Sequence, residues 1–278
     1  MTADERLTRV RVKVERAKEQ LSHLDAALNT FKKSNPYTVG TKRDPQTRQL
    51  IYYVTSIREM PPVVPAIAGE IIHNLRSALD HLAYQLFLLS PDGQAKPGLH
   101  IYFPVFDSVE KYEAGVRSKT KGISEKVVKA ITRIQPYKGG KGHLLWCLHE
   151  LDIADKHRLL VTVQTKFRSV NVGSVFRRGN ASLRAQWEAS GAKERGFPSP
   201  EIPEFDLFLN VADRVALQIG TELFGDASDA EPDSKIQFLC EISLHEPQIA
   251  ESQPLTEFLK QLIDLVDNLI GGFRPFLA

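Results

Sequence analysis

Residues 66–89, AIAGEIIHNLRSALDHLAYQLFLL, set a run of polar groups in the middle of an apolar stripe. Ile67, Ile71, Leu75, Leu79, Leu82 and Leu86 recur at steps of three and four, the period of one core-facing face of an α-helix. A helix of this kind occupies the centre of a helical core. Its His73, Asn74, Arg76, Asp80 and His81 then need partners or a site to line, because a buried Arg or His costs free energy unless it is paired.

At about 100° per residue, His73, Arg76 and Asp80 fall along one strip and Asn74, Ser77 and His81 along the next. Two uses of these groups stand side by side. In the structural one, Arg76 and Asp80 pair at i, i+4 and the histidines are satisfied within the core. In the catalytic one, Arg76 and His81 act together, a permanent cation beside a group that titrates near neutrality, which is what phosphodiester cleavage needs.

The string Arg76-Ser-Ala-Leu-Asp-His81 resembles the R-x4-H pattern of the HEPN superfamily (higher eukaryotes and prokaryotes nucleotide-binding). These are helical proteins that include many metal-independent ribonucleases of toxin and antiphage systems. The likeness covers this helix, with Glu70 and Asn74 one or two turns upstream of it. Family members often carry Asn, Asp or His directly after the arginine, where this chain has Ser77. The phrase LRSALDHLA is also similar to segments of uncharacterised bacterial proteins. The resemblance implies an endoribonuclease of toxin–antitoxin or defence type that needs no metal and no cofactor. His81 would act as general base or acid and Arg76 would stabilise charge on the phosphorane, in a site formed across a homodimer. Many HEPN-like domains lack activity and serve as binding or assembly modules, which is the alternative here.

A second polar-rich helix is expected over 143–157, HLLWCLHELDIADKH. Its His149 and Asp152 at i, i+3 suit either of two roles. They join Arg76 and Asp80 in a polar network between two packed helices, for instance His149 to Asp80 or Arg76 to Asp152, with Glu70, His73 and Asn74 in support, or they ligate a metal with His73 or His81 as in helical-bundle hydrolases. No cysteine-based metal spacing accompanies them. Cys147 and Cys240 lie far apart in apolar segments and read as thiols of a reducing cytoplasm.

The net charge is only +2, but residues 111–143 hold nine Lys or Arg against two acids, and residues 226–257 hold eight acids against one Lys. The first segment suits a polyanion such as RNA, through Lys119, Lys121, Lys126, Lys129 and Arg133, with Tyr112, Tyr137 and Trp146 as stacking platforms. A solvated helical face accounts for the same charges. Gly139, Gly140 and Gly142 with Lys138 and Lys141 do not follow the order of a phosphate-binding loop.

Elsewhere Leu7, Val10, Val14, Ala17, Leu21, Leu24, Leu28 and Phe31 mark a long amphipathic helix with a coiled-coil-like seam, expected to fold back on the 66–89 helix. YTVGT and QLIYYVTSI form a β-ribbon within 37–58, and Pro61, Pro62 and Pro65 precede the second long helix. Modest helices are expected near 108–117 and 123–134, after a loop, SPDGQAKPG, and a short extended piece at 99–106. From residue 159 the runs LLVTVQ, VNVGSVF, ASLRAQW, FDLFLNVAD, RVALQIG and KIQFLCEISL read as antiparallel strands, with GAKERGFPSPEIPE and FGDASDAEPDS as loops. An amphipathic helix near 254–270, ended by Gly271 and Gly272, returns to the bundle.

The expectation is an α+β protein: a helical region over 1–158 carrying the ribbon, a β-rich region over 159–250 and a C-terminal helix over 251–278. No apolar run reaches the roughly 18 residues that span a bilayer. The charged start, MTADERLTRVRVKVERAK, has no apolar core of a leader, so no membrane partner and a cytoplasmic location are expected.

Overall fold

The computed structural model describes residues 1–90, 101–158, 161–200, 205–211 and 215–278. The protein is α+β. It divides into two compact units. The first is Met1–Ser34, Met60–Val163 and Leu244–Ala278; the second is Asn35–Glu59 and Gln164–Ser243. The ribbon that the sequence groups with the helices thus falls in the second unit.

In the first unit, α1 (Ala3–Lys33) opens on a capping box: Glu5 N–H donates to Thr2 Oγ1 at 3.2 Å and Thr2 N–H to Glu5 Oε2 at 2.7 Å. Leu7, Val10, Val14, Ala17, Leu24, Leu28 and Phe31 are buried, as the seam requires. Leu21 is only half-buried, and Gln20 takes the inward place. The reason is polar. The Gln20 amide bonds Glu70 and Asn74 of α2 (Val63–Leu88), and a fully partnered amide can be buried where a bare one cannot. Arg6 meets Gln85, Lys13 meets Asn74 and Gln20 meets Glu70, so α1 and α2 run antiparallel.

α2 begins directly after Pro61 and Pro62 and carries Pro65 in its first turn, where a missing N–H costs no helical bond. It packs on α1, on α5 (His143–Arg158) and on α7 (Leu255–Gly272), which makes it the central helix of the unit. Ala68, Ile71, Ile72, Leu75, Ala78, Leu79, Leu82 and Ala83 are wholly buried as a result. Each large aliphatic side chain among them contributes about 1.5–3 kcal/mol. The shorter α3 (Val109–Lys119) and α4 (Glu125–Ile134) lie close to the expected bounds, and α4 ends on Gln135 in the left-handed region, φ 55°. α7 buries Leu255, Phe258, Leu259, Leu262, Ile263, Val266 and Ile270 and completes the bundle.

In the second unit, β1 (Tyr37–Arg43) and β2 (Leu50–Ile57) form the expected antiparallel ribbon. Asp44 Oδ1 accepts from the N–H groups of Gln46 and Thr47 to hold its turn. β5 (Glu222–Asp226) adds to β2, giving the order β1-β2-β5. β4 (Phe208–Asn210), β3 (Val163–Asn171) and β6 (Gln237–Glu246) follow one another in a second sheet, and β7 (Ala250–Pro254) belongs to the first unit. Leu50, Tyr52, Val54, Phe167, Val170, Val172, Leu223 and Ile236 form the unit's core.

Four local expectations need correction. VNVGSVF and ASLRAQW are not strands: β3 ends at Asn171 and α6 (Gly173–Ala189) follows. Asn171 Oδ1 accepts from Gly173 N–H at 3.0 Å and so turns the chain out of the strand. The rest of α6 carries three Arg and three Ala, all helix formers, but the helix buries only Gly173 and Ser174, so no helical period marks it. FGDASDAEPDS is not all loop, since it opens within β5. RVALQIG reduces to one bridge, Ala216 to Lys166, among its described residues. Tyr112 and Trp146 are buried, at 3% and 4% exposure, and are not stacking platforms. Tyr112 packs edge-on against Phe106 and donates its hydroxyl to Thr132, because an aromatic at an inward position of α3 has more to gain from the core than from solvent. The loop at 91–98, the start of the piece at 99–106, residues 159–160 of LLVTVQ, and parts of the 191–204 loop and of FDLFLNVAD lie outside the described residues.

Candidate functional site

Helical spacing puts Arg76 and Asp80 on the same side of α2, where Arg76 is buried and Asp80 half-buried. Arg76 is 6% exposed. Two of its guanidinium nitrogens are hydrogen-bonded, and the third, Nη1, is ion-paired without a hydrogen bond. Nη1 lies 2.7 Å from Asp80 Oδ1, Nη2 donates to the Phe103 carbonyl at 3.0 Å, and Nε donates to His149 Nδ1 at 3.3 Å. Asp80 Oδ1 also accepts from Phe103 N–H at 2.9 Å. The Arg76–Asp80 pair therefore clamps both backbone groups of Phe103, whose ring is buried in the core.

The electrostatics agree with that geometry. Burial and then the adjacent Arg76 cation push His149 down to about 4, so its imidazole is neutral and free to accept from Arg76. Burial raises the Asp80 carboxyl above its ordinary range, against the pull of Arg76 and of the Phe103 N–H.

His73 and Asp152 form a second link between α2 and α5. His73 Nδ1 is 3.1 Å from Asp152 Oδ1, and Lys156 Nζ is 2.6 Å from Asp152 Oδ2. Gly69 lets the helices approach one turn earlier, since an added Cβ would run into the carboxylate of Asp155. Glu70 and Asn74 face α1 instead. Asn74 donates to Gln20 Oε1 and the Glu70 carbonyl, both at 2.9 Å, and accepts from Lys13 at 3.2 Å.

His81 stands apart from this network. It is exposed and lines an open cleft of ≈ 380 Å³ with Arg9, Asp80, Tyr84, Gln85, Ile101 and Tyr102. Arg76 does not line it. The motif pair is thus divided, with the arginine inward and the histidine outward. Sequence reasoning missed Arg9, Tyr84 and Tyr102. Arg9 and Tyr84 were findable: Tyr84 is one turn beyond His81, and the antiparallel seam sets Arg9 opposite that end of α2.

Lys119, Lys121, Lys126, Lys129 and Arg133 are exposed on α3, α4 and their connection. Lys119 lies over the Phe106 ring at 5.9 Å. In the glycine loop, the N–H groups of Gly139, Gly140, Lys141 and Gly142 bond His143, Tyr137, Gln135 Oε1 and the Gln135 carbonyl, so they do not point at a phosphate. His149 and Asp152 turn to different partners rather than to a common centre, and no group of three or more His, Cys, Asp or Glu among the described residues could hold a metal ion. No helix among the described residues is long and apolar enough to cross a membrane.

Comparison with protein-family models, curated proteins and solved structures matched none of them to this chain.

Proposed function

We propose that the chain is an RNA-binding module of HEPN-like type in which Arg76 serves architecture and the cleft beside His81 receives an unpaired base with its phosphate. The observation that carries this is the burial of Arg76, with Nη2 and Nε hydrogen-bonded and Nη1 ion-paired to Asp80 inside the unit. A phosphorane could be reached only by breaking that network, at a cost of about 3–5 kcal/mol for the stranded Asp80 charge.

The cleft has the chemistry of a single-strand site. Tyr84 and Tyr102 offer rings for stacking, Arg9 offers a guanidinium to phosphate and His81 a ring nitrogen. The exposed cations of 119–133 add non-specific attraction for a polyanion. A homodimer and a role in a toxin or defence system rest on the family resemblance, and a cytoplasmic setting on Cys147 and Cys240 as free thiols.

Fluorescence anisotropy with a labelled single-stranded oligoribonucleotide in EDTA tests this. Binding is expected at low salt, and its logarithm should fall with that of salt at about 0.7 per phosphate contacted. Arg9→Glu and His81→Ala should each weaken it severalfold, and the RNA should remain intact. Absence of binding at low salt overturns the proposal. Cleavage to 2′,3′-cyclic ends that His81→Ala abolishes would establish the ribonuclease in its place.

A further inference from the structure

One turn before His81, α2 carries Ser77, and its hydroxyl completes an arrangement that neither reading of the R-x4-H motif uses. Ser77 Oγ is 3.5 Å from His73 Nε2, and His73 Nδ1 is 3.1 Å from Asp152 Oδ1. The serine and histidine sit at i, i+4 on one helix, and the carboxylate arrives from α5. Their exposures are graded: the His73 side chain is 49% exposed, Ser77 half-buried and the Asp152 side chain 4% exposed. Lys156 on Asp152 Oδ2 leaves Oδ1 to face His73.

We propose that Ser77, His73 and Asp152 form a nucleophile, general base and orienting carboxylate that react with activated acyl and phosphonyl electrophiles. Asp152 accepts from Nδ1–H and fixes the tautomer in which Nε2 carries a lone pair toward Ser77. With an ester, the Ser77 Oγ–carbonyl carbon bond forms as the hydroxyl proton passes to His73 Nε2. The carbon–oxygen bond to the leaving alcohol breaks, and that oxygen takes the proton from His73. Water then cleaves the acyl-serine by the same proton path. The backbone N–H groups around Ser77 serve the helix, so no pair of them forms an oxyanion hole. The class of substrate is therefore esters of acidic alcohols and phenols, whose leaving groups need little help.

The test is covalent labelling of the full chain with a fluorophosphonate, followed by peptide mass spectrometry. The Ser77–phosphorus bond forms, fluoride leaves and the proton goes to His73. One adduct per chain is expected on Ser77, none in Ser77→Ala, and labelling slower by about 100-fold or more in His73→Gln. The glutamine variant sits at a half-exposed position, and a matching circular-dichroism melt verifies its fold. Asp152 acts through His73, so Asp152→Asn should also move the midpoint of the labelling pH profile downward, which a merely structural carboxylate would not do. p-Nitrophenyl acetate should give a burst near one equivalent in the wild type and no burst in Ser77→Ala. A folded wild type unlabelled at Ser77, or a His73→Gln variant that labels as fast, overturns the proposal.

Discussion

At the scale of single residues, the core of the first unit turns on one neutral imidazole. His149 holds its proton only below about 4, against an ordinary value of 6.5. Above pH 6.5 the folded and unfolded chains both carry it neutral, and it adds no pH dependence. Between 6.5 and about 4 the unfolded chain takes up a proton that the folded chain refuses, so stability falls as acid is added. The loss reaches at most about 3 kcal/mol, and less to the degree that solvent reaches the ring. The raised Asp80 carboxyl works the other way, because the folded chain binds its proton first as the pH falls. The two are separable with His149→Asn, which keeps an acceptor for Arg76 but does not titrate. Urea denaturation at pH 7 and pH 4.5 should show a smaller loss for the variant; equal losses would remove His149 from the account. Asn74 makes a parallel case. Its amide ties Gln20, Lys13 and the Glu70 carbonyl together, so Asn74→Ala should cost about 1–3 kcal/mol in the same assay, through the Gln20 acceptor left buried.

At the scale of elements, α2 and α5 are set by Gly69. An added methyl at that position meets the Asp155 carboxylate, which burial already holds above its ordinary range. Gly69→Ala raises helix propensity by about 1 kcal/mol, yet it should lower the melting temperature because the half-buried Asp155 carboxylate must give way. A melt at or above wild type would show that the helices do not need that approach. The long elements were legible in the sequence for a physical reason. α1, α2, α5 and α7 each bury a continuous stripe, and a stripe imposes a period that neighbours cannot erase. α6 was not legible because it buries almost nothing, and of the β-branched residues before it Val170 belongs to the end of β3 and Val172 is the helix N-cap. The same difference decided the site. That Arg76, Asp80, His149, His73 and Asp152 must satisfy one another follows from polar groups on apolar helices. The Arg76–Asp80 pair follows from i, i+4 spacing, but the other pairings do not, and the clamp takes two of its bonds from the backbone of Phe103 in an irregular segment. Gln20 in place of Leu21 at the α1 seam has the same origin, a polar partner on another helix that hydrophobic spacing cannot report.

At the scale of the whole molecule, the chain comprises a helical unit centred on α2 and a β-rich unit with its own core. Within the first unit α2 divides its labour by face. The inward face carries Arg76 and holds α5 and the Phe103 segment; the outward strip presents His73, Ser77, His81 and Tyr84. Substitutions at His81 and Tyr84 on the outward strip should therefore leave stability within about 0.5 kcal/mol, and His81→Ala should melt with the wild type. Substitution on the inward face should not. The most direct measurement is a urea denaturation of Arg76→Ala beside His81→Ala. Removing the guanidinium strands the Asp80 carboxylate and the Phe103 carbonyl, so Arg76→Ala should lose about 3–5 kcal/mol while His81→Ala loses almost nothing. An Arg76→Ala protein as stable as the wild type, with RNA binding or cleavage lost, would contradict the account and return Arg76 to the chemistry.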